Sequence, residues 1–301
     1  MRGREDAATT SRAVLDVAAH AAGINSRGAE VIRFGENHLW RLHGRVVARI
    51  GRHGQDSAAA KEVAVARWLA DAGVDTVRVL EGLDQPICAN GHPVTFWHEL
   101  PPHKTGTTID VAATLRKFHK LEPPKGFDLP ELAPFVRLTE RIEAAATVTA
   151  DDRKWMLDRL TELRERYADL PPGIPRGVVH GDAWQGNIAR TADGRTILLD
   201  FERCAIGPPE WDLTSAAVSH VTTGWMDSQQ WRAYSDTYGY DVTNWAGFTV
   251  LRDIRELRMT SMACQTAATN PVLYAAQATH RLACLRGHRG PRPWPGWSEV
   301  P

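Results

Sequence analysis

The hydrophobic periodicity of this chain changes near residue 100, and this change limits the folds that it can adopt. Before that point, short apolar runs with strand character, separated by Gly-containing turns, are typical of an antiparallel meander. Beyond Pro101-Pro102 the apolar spacing is mainly helical. We therefore predict an α+β fold with a small strand-rich lobe, residues 1–100, and a larger, mainly helical lobe, residues 101–301.

The periodicity also predicts where the individual elements lie. Strands are expected at 31–34, 38–42, 45–50, 76–80 and 93–100, and helices at 11–22, 56–72, 108–121, 134–147 and 151–168. Two short strand-like runs, GVVH and TILLD, follow the last of these helices. Residues beyond 210 are predicted to be helical up to a Pro-rich tail.

The composition is that of a globular protein, with 43% apolar and 24% charged residues. The 36 basic and 36 acidic residues balance, which argues against a nucleic-acid partner because such proteins usually carry a basic excess. The four cysteines form no C-x-x-C pair, which favours buried, reduced thiols. Since no long apolar run or signal-peptide core occurs, we expect a cytoplasmic protein with no membrane partner. The oligomeric state is left open.

Three oxygen-bearing side chains follow one another in the stretch VVHGDAWQGNIARTADGRTILLDFE. Asn187 comes five positions after Asp182, and Asp200 ends an apolar run thirteen positions later. This is the arrangement of protein-kinase-like phosphotransferases, in which a carboxylate orients the attacking hydroxyl and accepts its proton. An amide oxygen and a second carboxylate suit Mg²⁺, which prefers oxygen ligands. We expect the turn TADGR, between GVVH and TILLD, to bring Asn187 and Asp200 together.

The segments HGDAWQGN and LLDFE resemble the HGD-x-x-x-x-N and D-F-[DE] signatures of aminoglycoside and choline kinases. Gly181 stands where protein kinases have Arg, and GPPEWDL supplies the family's further acid, Asp212. The resemblance implies a protein-kinase-like bilobal fold and a Mg²⁺-dependent transfer of phosphate from ATP or GTP.

The resemblance also implies roles for individual residues of the helical lobe. Asp182 is then the catalytic base, and Asn187 and Asp200 are the Mg²⁺ ligands. His180 and Asp212 are expected to brace the loop. Glu202, either a neighbour of the metal or facing the acceptor, and Trp184 are candidates on the acceptor side. The run LRKFHKL resembles the first helix of the family's helical lobe, where His119 is expected to be structural.

The strand-rich lobe is expected to supply the nucleotide site. By the same resemblance, Arg49 stands where the family has a strand Lys for the phosphates, and Glu62 on the following helix is its partner. Arg keeps the charge and forks onto phosphate oxygens. The turn that contains Asn37 and His38 is a weak candidate for the phosphate loop, since a G-x-G-x-x-G is absent. Trp97, His98 and Glu99 resemble the hinge, whose main chain would pair with adenine.

The phosphate acceptor is predicted to be a small molecule, and its identity is open. An antibiotic is one alternative; a sugar, amino sugar or amino alcohol of primary metabolism is another. A non-catalytic nucleotide-binding protein is a third, although the presence of all three oxygen-bearing residues argues against it. A polycationic acceptor would require acids of the C-terminal region to cluster in space. The acids available are Asp227, Asp236, Asp241, Asp253 and Glu256.

Overall fold

The computed structural model describes residues 2–35, 37–298 and 300. Its strands are β1 (Glu30–Phe34), β2 (His38–Leu42), β3 (Val46–Ile50), β4 (Ile87–Ala89), β5 (His92–His98), β6 (His103–Thr105), β7 (Gly177–Val179), β8 (Ile188–Thr191), β9 (Thr196–Leu198) and β10 (Ala205–Gly207). Its helices are α1 (Arg2–Ala21), α2 (Asp56–Asp71), α3 (Thr108–Phe118), α4 (Leu138–Ala144), α5 (Ala150–Ala168), α6 (Glu210–Val221), α7 (Ser228–Tyr238), α8 (Phe248–Thr269) and α9 (Pro271–Leu285).

The chain forms two compact units. The first comprises Met1–Gly106, Pro124–Asp128 and Gly186–Cys204, and the second comprises Thr107–Pro123, Leu129–Gln185 and Ala205–Pro301. The division into lobes at residue 100 stays a prediction. The first unit contains all strands except β7 and β10, and the second contains helices α3 to α9. The predicted α+β class is therefore confirmed.

An antiparallel sheet with strand order β1-β2-β3-β5-β4 is the main part of the first unit. Alternation along β3 buries Ala48 and Ile50 with Val14 and Leu15 of α1 on one face of this sheet. Because successive strand side chains point to opposite faces, Arg49 lies on the other face, where α2 supplies Glu62. The strand period thus separates the packing face from a polar face.

A second, three-stranded sheet of the first unit has the order β6-β8-β9. Strands β8 and β9 form a hairpin, and Gly194 in its turn has a φ of 85°, a left-handed conformation that glycine adopts without steric cost. The turn TADGR therefore joins IART to TILLD, and the prediction that it lies between GVVH and TILLD is wrong. Strand β7 pairs with β10 in the second unit instead, because IART, which was not predicted as a strand, is the nearer partner of β9.

The second unit has a helical core formed by α4, α5, α8 and α9. Its fully buried side chains include Leu138, Met156, Leu160, Leu251 and Ile254. Local capping defines the boundaries of two helices of this unit. Both α3 and α7 begin with a capping box, and α7 ends at a left-handed Gly239.

Three further expectations differ in detail from the structure. Residues 76–80 form no strand; only isolated bridges at Thr76 and Val79 join this segment to its neighbours. Helix α1 begins at Arg2, well before the predicted residue 11. All four cysteines are free, as predicted, but Cys88 is exposed while the others are buried. Among the described residues, no helix has the length and apolar character needed to cross a bilayer.

Candidate active site

Arg49 lies at the centre of a polar group in the first unit. Its guanidinium forms an ion pair with Glu62, and both side chains are largely buried, with 16% and 6% of their surfaces exposed. The Arg49 Nη2 also lies 3.6 Å from Glu202 Oε2. The Asn37 amide, oriented with its oxygen toward the guanidinium, accepts from Arg49 Nε and Nη2 at 3.2 and 2.7 Å. These contacts bring together four residues that the sequence singled out, Glu202 among them.

Burial is the largest single influence on the pKa values of Arg49 and Glu62. It raises the pKa of the Glu62 carboxyl from 4.5 to about 7, although the Arg49 guanidinium opposes the rise. Glu62 can therefore gain or lose a proton near neutral pH, whereas the Arg49 guanidinium keeps its charge over the whole physiological range. The Arg49 group therefore contains a positive charge and a carboxyl that titrates near neutral pH.

Among the described residues of the predicted phosphate turn, His38 lies outside this contact set. His38 packs its ring edge-to-face on Phe34, with centroids 4.8 Å apart, and burial lowers the pKa of the His38 imidazole. Glu36 falls outside the described residues. Of this turn, Asn37 is the residue for which a contact with Arg49 is described.

The predicted hinge is part of strand β5 and the residues after it. Trp97 is buried and donates from Nε1 to Thr95 Oγ1 at 2.8 Å, whereas His98 pairs with Glu81 and Glu99 pairs with Arg41 on the surface. The main-chain N–H groups of His98 and Glu99 already donate to the carbonyls of Arg78 and Arg45, at 2.9 and 2.7 Å. Main-chain recognition of a nucleotide by these two residues would therefore have to use their carbonyl groups.

The two predicted metal ligands lie at the ends of the β8–β9 hairpin in the first unit. Asn187 directly precedes β8, Asp200 follows β9, and the N–H of Leu199 donates to the carbonyl of Asn187 at 3.0 Å. Asp200 has a φ of 61°, a left-handed conformation that is uncommon for residues other than glycine. Such strain collects at functional sites, where the surrounding structure must hold it in place.

Lys61 anchors the segment that follows Asp200, and sequence analysis missed this role. Its Nζ donates to the carbonyls of Glu202 and Cys204 at 2.6 and 3.3 Å. Burial lowers the pKa of the Lys61 amine. The sequence carried no signal for this contact, because the acceptors are main-chain carbonyls that lie 141 and 143 positions away.

Asp212 fixes the predicted catalytic loop in the second unit. It is fully buried near the start of α6 and accepts from the N–H groups of His180 and Gly181 at 2.7 and 2.8 Å. His180 is also buried, and its Nδ1 lies 3.4 Å from the N–H of Asp182. The side chain of Asp182, by contrast, is 42% exposed. The residues at the start of the loop are thus buried and hydrogen-bonded, whereas the Asp182 carboxylate is accessible to solutes.

His119 extends this bracing to helix α7. Its Nε2 lies 3.0 Å from Asp212 Oδ2 and its Nδ1 lies 2.8 Å from the hydroxyl of Tyr238. Burial by itself would raise the pKa of the Asp212 carboxyl, but the His119 hydrogen bond and the charges around it hold this pKa below its usual value. The side chain of His119 therefore joins α3, α6 and α7, whereas the sequence indicated only a structural residue.

A cavity in the second unit borders the residues that follow Asp182. It has a volume of about 840 Å³, and Trp184, with 54% of its surface exposed, is part of its wall. Asp227 and Asp241 cap helices instead, and Asp253 and Glu256 form ion pairs with arginines. The acidic cluster that a polycationic acceptor would require is not found in the described lining of this cavity.

Comparison with known proteins identifies the relatives of this fold. Residues 30–250 match the profile of a family described as the phosphotransferase enzyme family, APH. A comparison of the sequence with curated proteins gave no match.

Solved structures show the same fold at low sequence identity. The amicoumacin kinase hAmiN, in complex with AMP-PNP, Ca²⁺ and Ami, matches with a TM-score of 0.71 and 13% identity, over 96% of this chain and 98% of that chain. The choline kinase LicA from Streptococcus pneumoniae matches with a TM-score of 0.63 and 16% identity, over 92% and 99% of the two chains. The GDP and kanamycin complex of APH(2")-IIia matches with a TM-score of 0.64 and 13% identity, over 91% and 99%. These similarities confirm the predicted protein-kinase-like fold.

Proposed function

Because this chain belongs to the phosphotransferase enzyme family, we propose that it is a small-molecule kinase that transfers the γ-phosphate of ATP, or of GTP, to a hydroxyl group with Mg²⁺. The observation that carries this proposal is the braced loop around Asp182, with two main-chain N–H groups donating to the buried Asp212. A loop held in this way positions its exposed carboxylate, and phosphoryl transfer depends mainly on positioning and electrostatics.

Asp182 acts as the base in this proposal. The acceptor oxygen attacks the γ-phosphorus, the bond from phosphorus to the bridging oxygen of the nucleoside diphosphate breaks, and the hydroxyl proton passes to the Asp182 carboxylate. The developing charge lies mostly on the phosphoryl oxygens, so Asp182 chiefly orients the hydroxyl. Its exposure fits a group that meets an incoming acceptor.

Asn187 and Asp200 are proposed to hold the magnesium ion. One amide oxygen and one carboxylate fit Mg²⁺, which usually takes one or two carboxylates together with phosphates and waters. A magnesium ion held by these two residues would neutralise the negative charge that develops on the phosphates during transfer. Lys61 supports this assignment because it fixes the segment that directly follows Asp200.

Arg49 is the proposed contact to the phosphates of the nucleotide. Glu62, Glu202 and Asn37 surround its guanidinium and orient it, which leaves the charge available to phosphate oxygens. The carbonyl groups of the segment Trp97–Glu99 are the proposed partners of the base, since two of its N–H groups are engaged.

The structural neighbours bring two classes of acceptor to this proposal. The three structures are named as an amicoumacin kinase, a choline kinase and a complex with GDP and kanamycin. A small-molecule acceptor is common to all three.

The proposal is tested with Asp182→Asn in a coupled nucleotide-consumption screen with Mg²⁺ and a panel of hydroxyl-bearing small molecules. General-base catalysis contributes roughly 10²–10⁴-fold, so kcat with any accepted compound should fall at least about 10²-fold. That loss corresponds to about 2.7 kcal/mol of transition-state stabilisation. Nucleotide affinity should barely change, because Asp182 contacts the acceptor hydroxyl and not the phosphates.

Asn is close in shape to Asp, so this variant separates lost chemistry from lost folding. Asp128→Asn is the matched control, since Asp128 belongs to neither the loop nor the hairpin. If Asp182→Asn melts like the wild type, binds nucleotide and still turns over an accepted compound at full rate, the proposed role of Asp182 is wrong.

A further inference from the structure

Four arginines line the cavity of the second unit. They are Arg141 on α4, Arg255 and Arg258 on α8, and Arg281 on α9. Among the lining residues that the structure describes, there is no Asp or Glu. A cavity of about 840 Å³ matches the size of pockets that enclose drug-sized ligands. Its wall is therefore rich in positive charge and in hydrogen-bond donors.

Two buried donors of this wall have no hydrogen-bond partner in the described part of the chain. They are the hydroxyl of Tyr234, with 1% of that residue exposed, and Nε of Arg281, with 3% exposed. Buried polar groups are normally satisfied, so each such group requires an explanation. A bound ligand with oxygen atoms that accept hydrogen bonds would provide the missing partners.

The described contacts of Arg281 are to neutral groups. Its Nη1 donates to the carbonyl of Met259 at 2.8 Å, and its Nη2 donates to the carbonyl of Ser298. Burial lowers the pKa of this guanidinium to about 10, which still leaves it protonated at neutral pH. A buried positive charge with neutral partners favours an anionic ligand.

The rest of the wall is apolar or aromatic. Met226, Met259 and Met262 line the cavity together with Trp184 and Trp225. The two tryptophans are large apolar residues that remain exposed, at 54% and 46%. Exposed aromatic faces beside an adaptable methionine surface suit a ring or another apolar group.

The cavity also borders the proposed base. Ala183, Trp184 and Gln185 directly follow Asp182 and belong to the wall. Arg255 Nη1 lies 4.0 Å from Asp182 Oδ1. A molecule bound in the cavity would therefore lie next to Asp182.

We propose that this cavity binds a phosphate acceptor that carries an oxyanion, either a carboxylate or a phosphate, together with its hydroxyl and a ring or apolar portion. The positive wall attracts such a molecule and repels a polycation such as an aminoglycoside. That the ligand is a phosphate acceptor rests on the proposed kinase function. The charge and shape of the ligand are argued from the cavity wall alone.

Equilibrium binding to the full chain without nucleotide tests this inference by isothermal titration calorimetry. The probes are 3-phenyllactate and phenyl phosphate, with phenylalaninol as the cationic counterpart of similar size. At least one anionic probe should bind about tenfold or more tightly than phenylalaninol, and added NaCl should weaken its binding. The anion that binds more tightly shows whether the cavity prefers a carboxylate or a phosphate. Tighter binding of phenylalaninol, or binding of neither anion, overturns the inference.

Two variants locate the binding in this cavity. Tyr234→Phe removes only a hydroxyl without a described partner, so the fold should be retained, and Arg258→Gln removes one charge. Each should weaken the anionic probe about tenfold, since hydrogen bonds to charged groups are among the stronger ones. Tyr240→Phe and Arg232→Gln, which lie outside the cavity lining, are the matched controls. Unchanged affinity in both cavity variants overturns the inference.

A separate titration with Mg-ATP distinguishes this inference from the proposed function. Binding of the anionic probes without any binding of Mg-ATP, or of Mg-GTP in a parallel titration, supports the cavity inference and refutes the kinase function. Binding of Mg-ATP together with a preference for phenylalaninol refutes the cavity inference alone.

Discussion

Asp200 adopts a left-handed backbone conformation, with a φ of 61°, two residues after the end of strand β9. Asn tolerates this conformation better than most side chains, whereas a left-handed Ala costs roughly 1–2 kcal/mol. Asp200→Asn should therefore keep the melting temperature of the wild type, and Asp200→Ala should lower it. Both variants should lose affinity for the Mg-nucleotide, because each lacks the carboxylate.

Calorimetric titration and thermal melting of both Asp200 variants check this prediction. Asp193→Asn, in the turn of the same hairpin, serves as the control for removal of a nearby acid. Wild-type Mg-nucleotide affinity in Asp200→Asn would exclude Asp200 as a metal ligand.

Glu62 is expected to give the stability of the protein a specific pH dependence. Its pKa is raised from 4.5 to about 7 in the folded state, chiefly by burial. Between these values the folded state holds a proton that the unfolded state has lost, so the contribution of Glu62 to stability falls as pH rises. The free energy of unfolding of the wild type relative to Glu62→Gln should therefore decrease from about pH 4.5 to about pH 7.

Urea denaturation of both proteins across this range measures the difference. Glu81→Gln is the control, because the hydrogen bond from His98 lowers the pKa of the exposed Glu81 and reverses the sign of its pH dependence. A difference between wild type and Glu62→Gln that is constant with pH would contradict the prediction.

At the scale of elements, helix α6 holds the loop that contains Asp182 through one buried carboxylate. Asp212 accepts hydrogen bonds from the loop and from His119 of the segment after α3. In Asp212→Asn, one of the two oxygens becomes a donor that faces other donors. We expect a loss of about 3 kcal/mol or more of unfolding free energy and a strongly reduced kcat.

Tyr238→Phe tests the outer end of the same connection. It removes the hydroxyl contact to His119 Nδ1 and leaves Asp212 intact, so the loss of stability should be only about 0.5–1.5 kcal/mol. Denaturant unfolding and steady-state kinetics of the two variants give the comparison. Equal effects of both substitutions would show that Asp212 has no special role in fixing the loop.

For the whole molecule, the proposed function predicts stabilisation by Mg-nucleotide. A ligand at about 100 times its Kd stabilises the native state by about 2.7 kcal/mol, which corresponds to a rise in Tm of roughly 5 °C. The wild type and Asp182→Asn should show this rise, because Asp182 does not contact the nucleotide in the proposed mechanism. Asp200→Asn should show a smaller rise.

Differential scanning calorimetry with ATP, with Mg²⁺ and with both together measures the shift. A rise in Tm with Mg²⁺ alone that equals the rise with Mg-ATP would contradict a nucleotide site.

The sequence by itself determined those features that depend on local patterns. Strand alternation placed Arg49 on the face opposite the core residues of β3, and helical spacing located helices α2 to α5 to within a few residues. The spacing of Asp182, Asn187 and Asp200 indicated the chemistry, because these residue types are needed together in phosphoryl transfer.

Only the tertiary structure decided the features that depend on contacts between distant segments. No local pattern relates the residues that are joined by the pairing of β7 with β10, by the anchoring of the Asp200 segment by Lys61, or by the contact of His119 with Tyr238. The charge of the cavity likewise could not be read from the composition. The acids and arginines of the C-terminal region are nearly balanced along the chain, but packing places arginines in the described wall and turns acids toward caps and ion pairs. The reason is physical: a side chain's environment is set by what folds against it, and sequence neighbours carry little of that information.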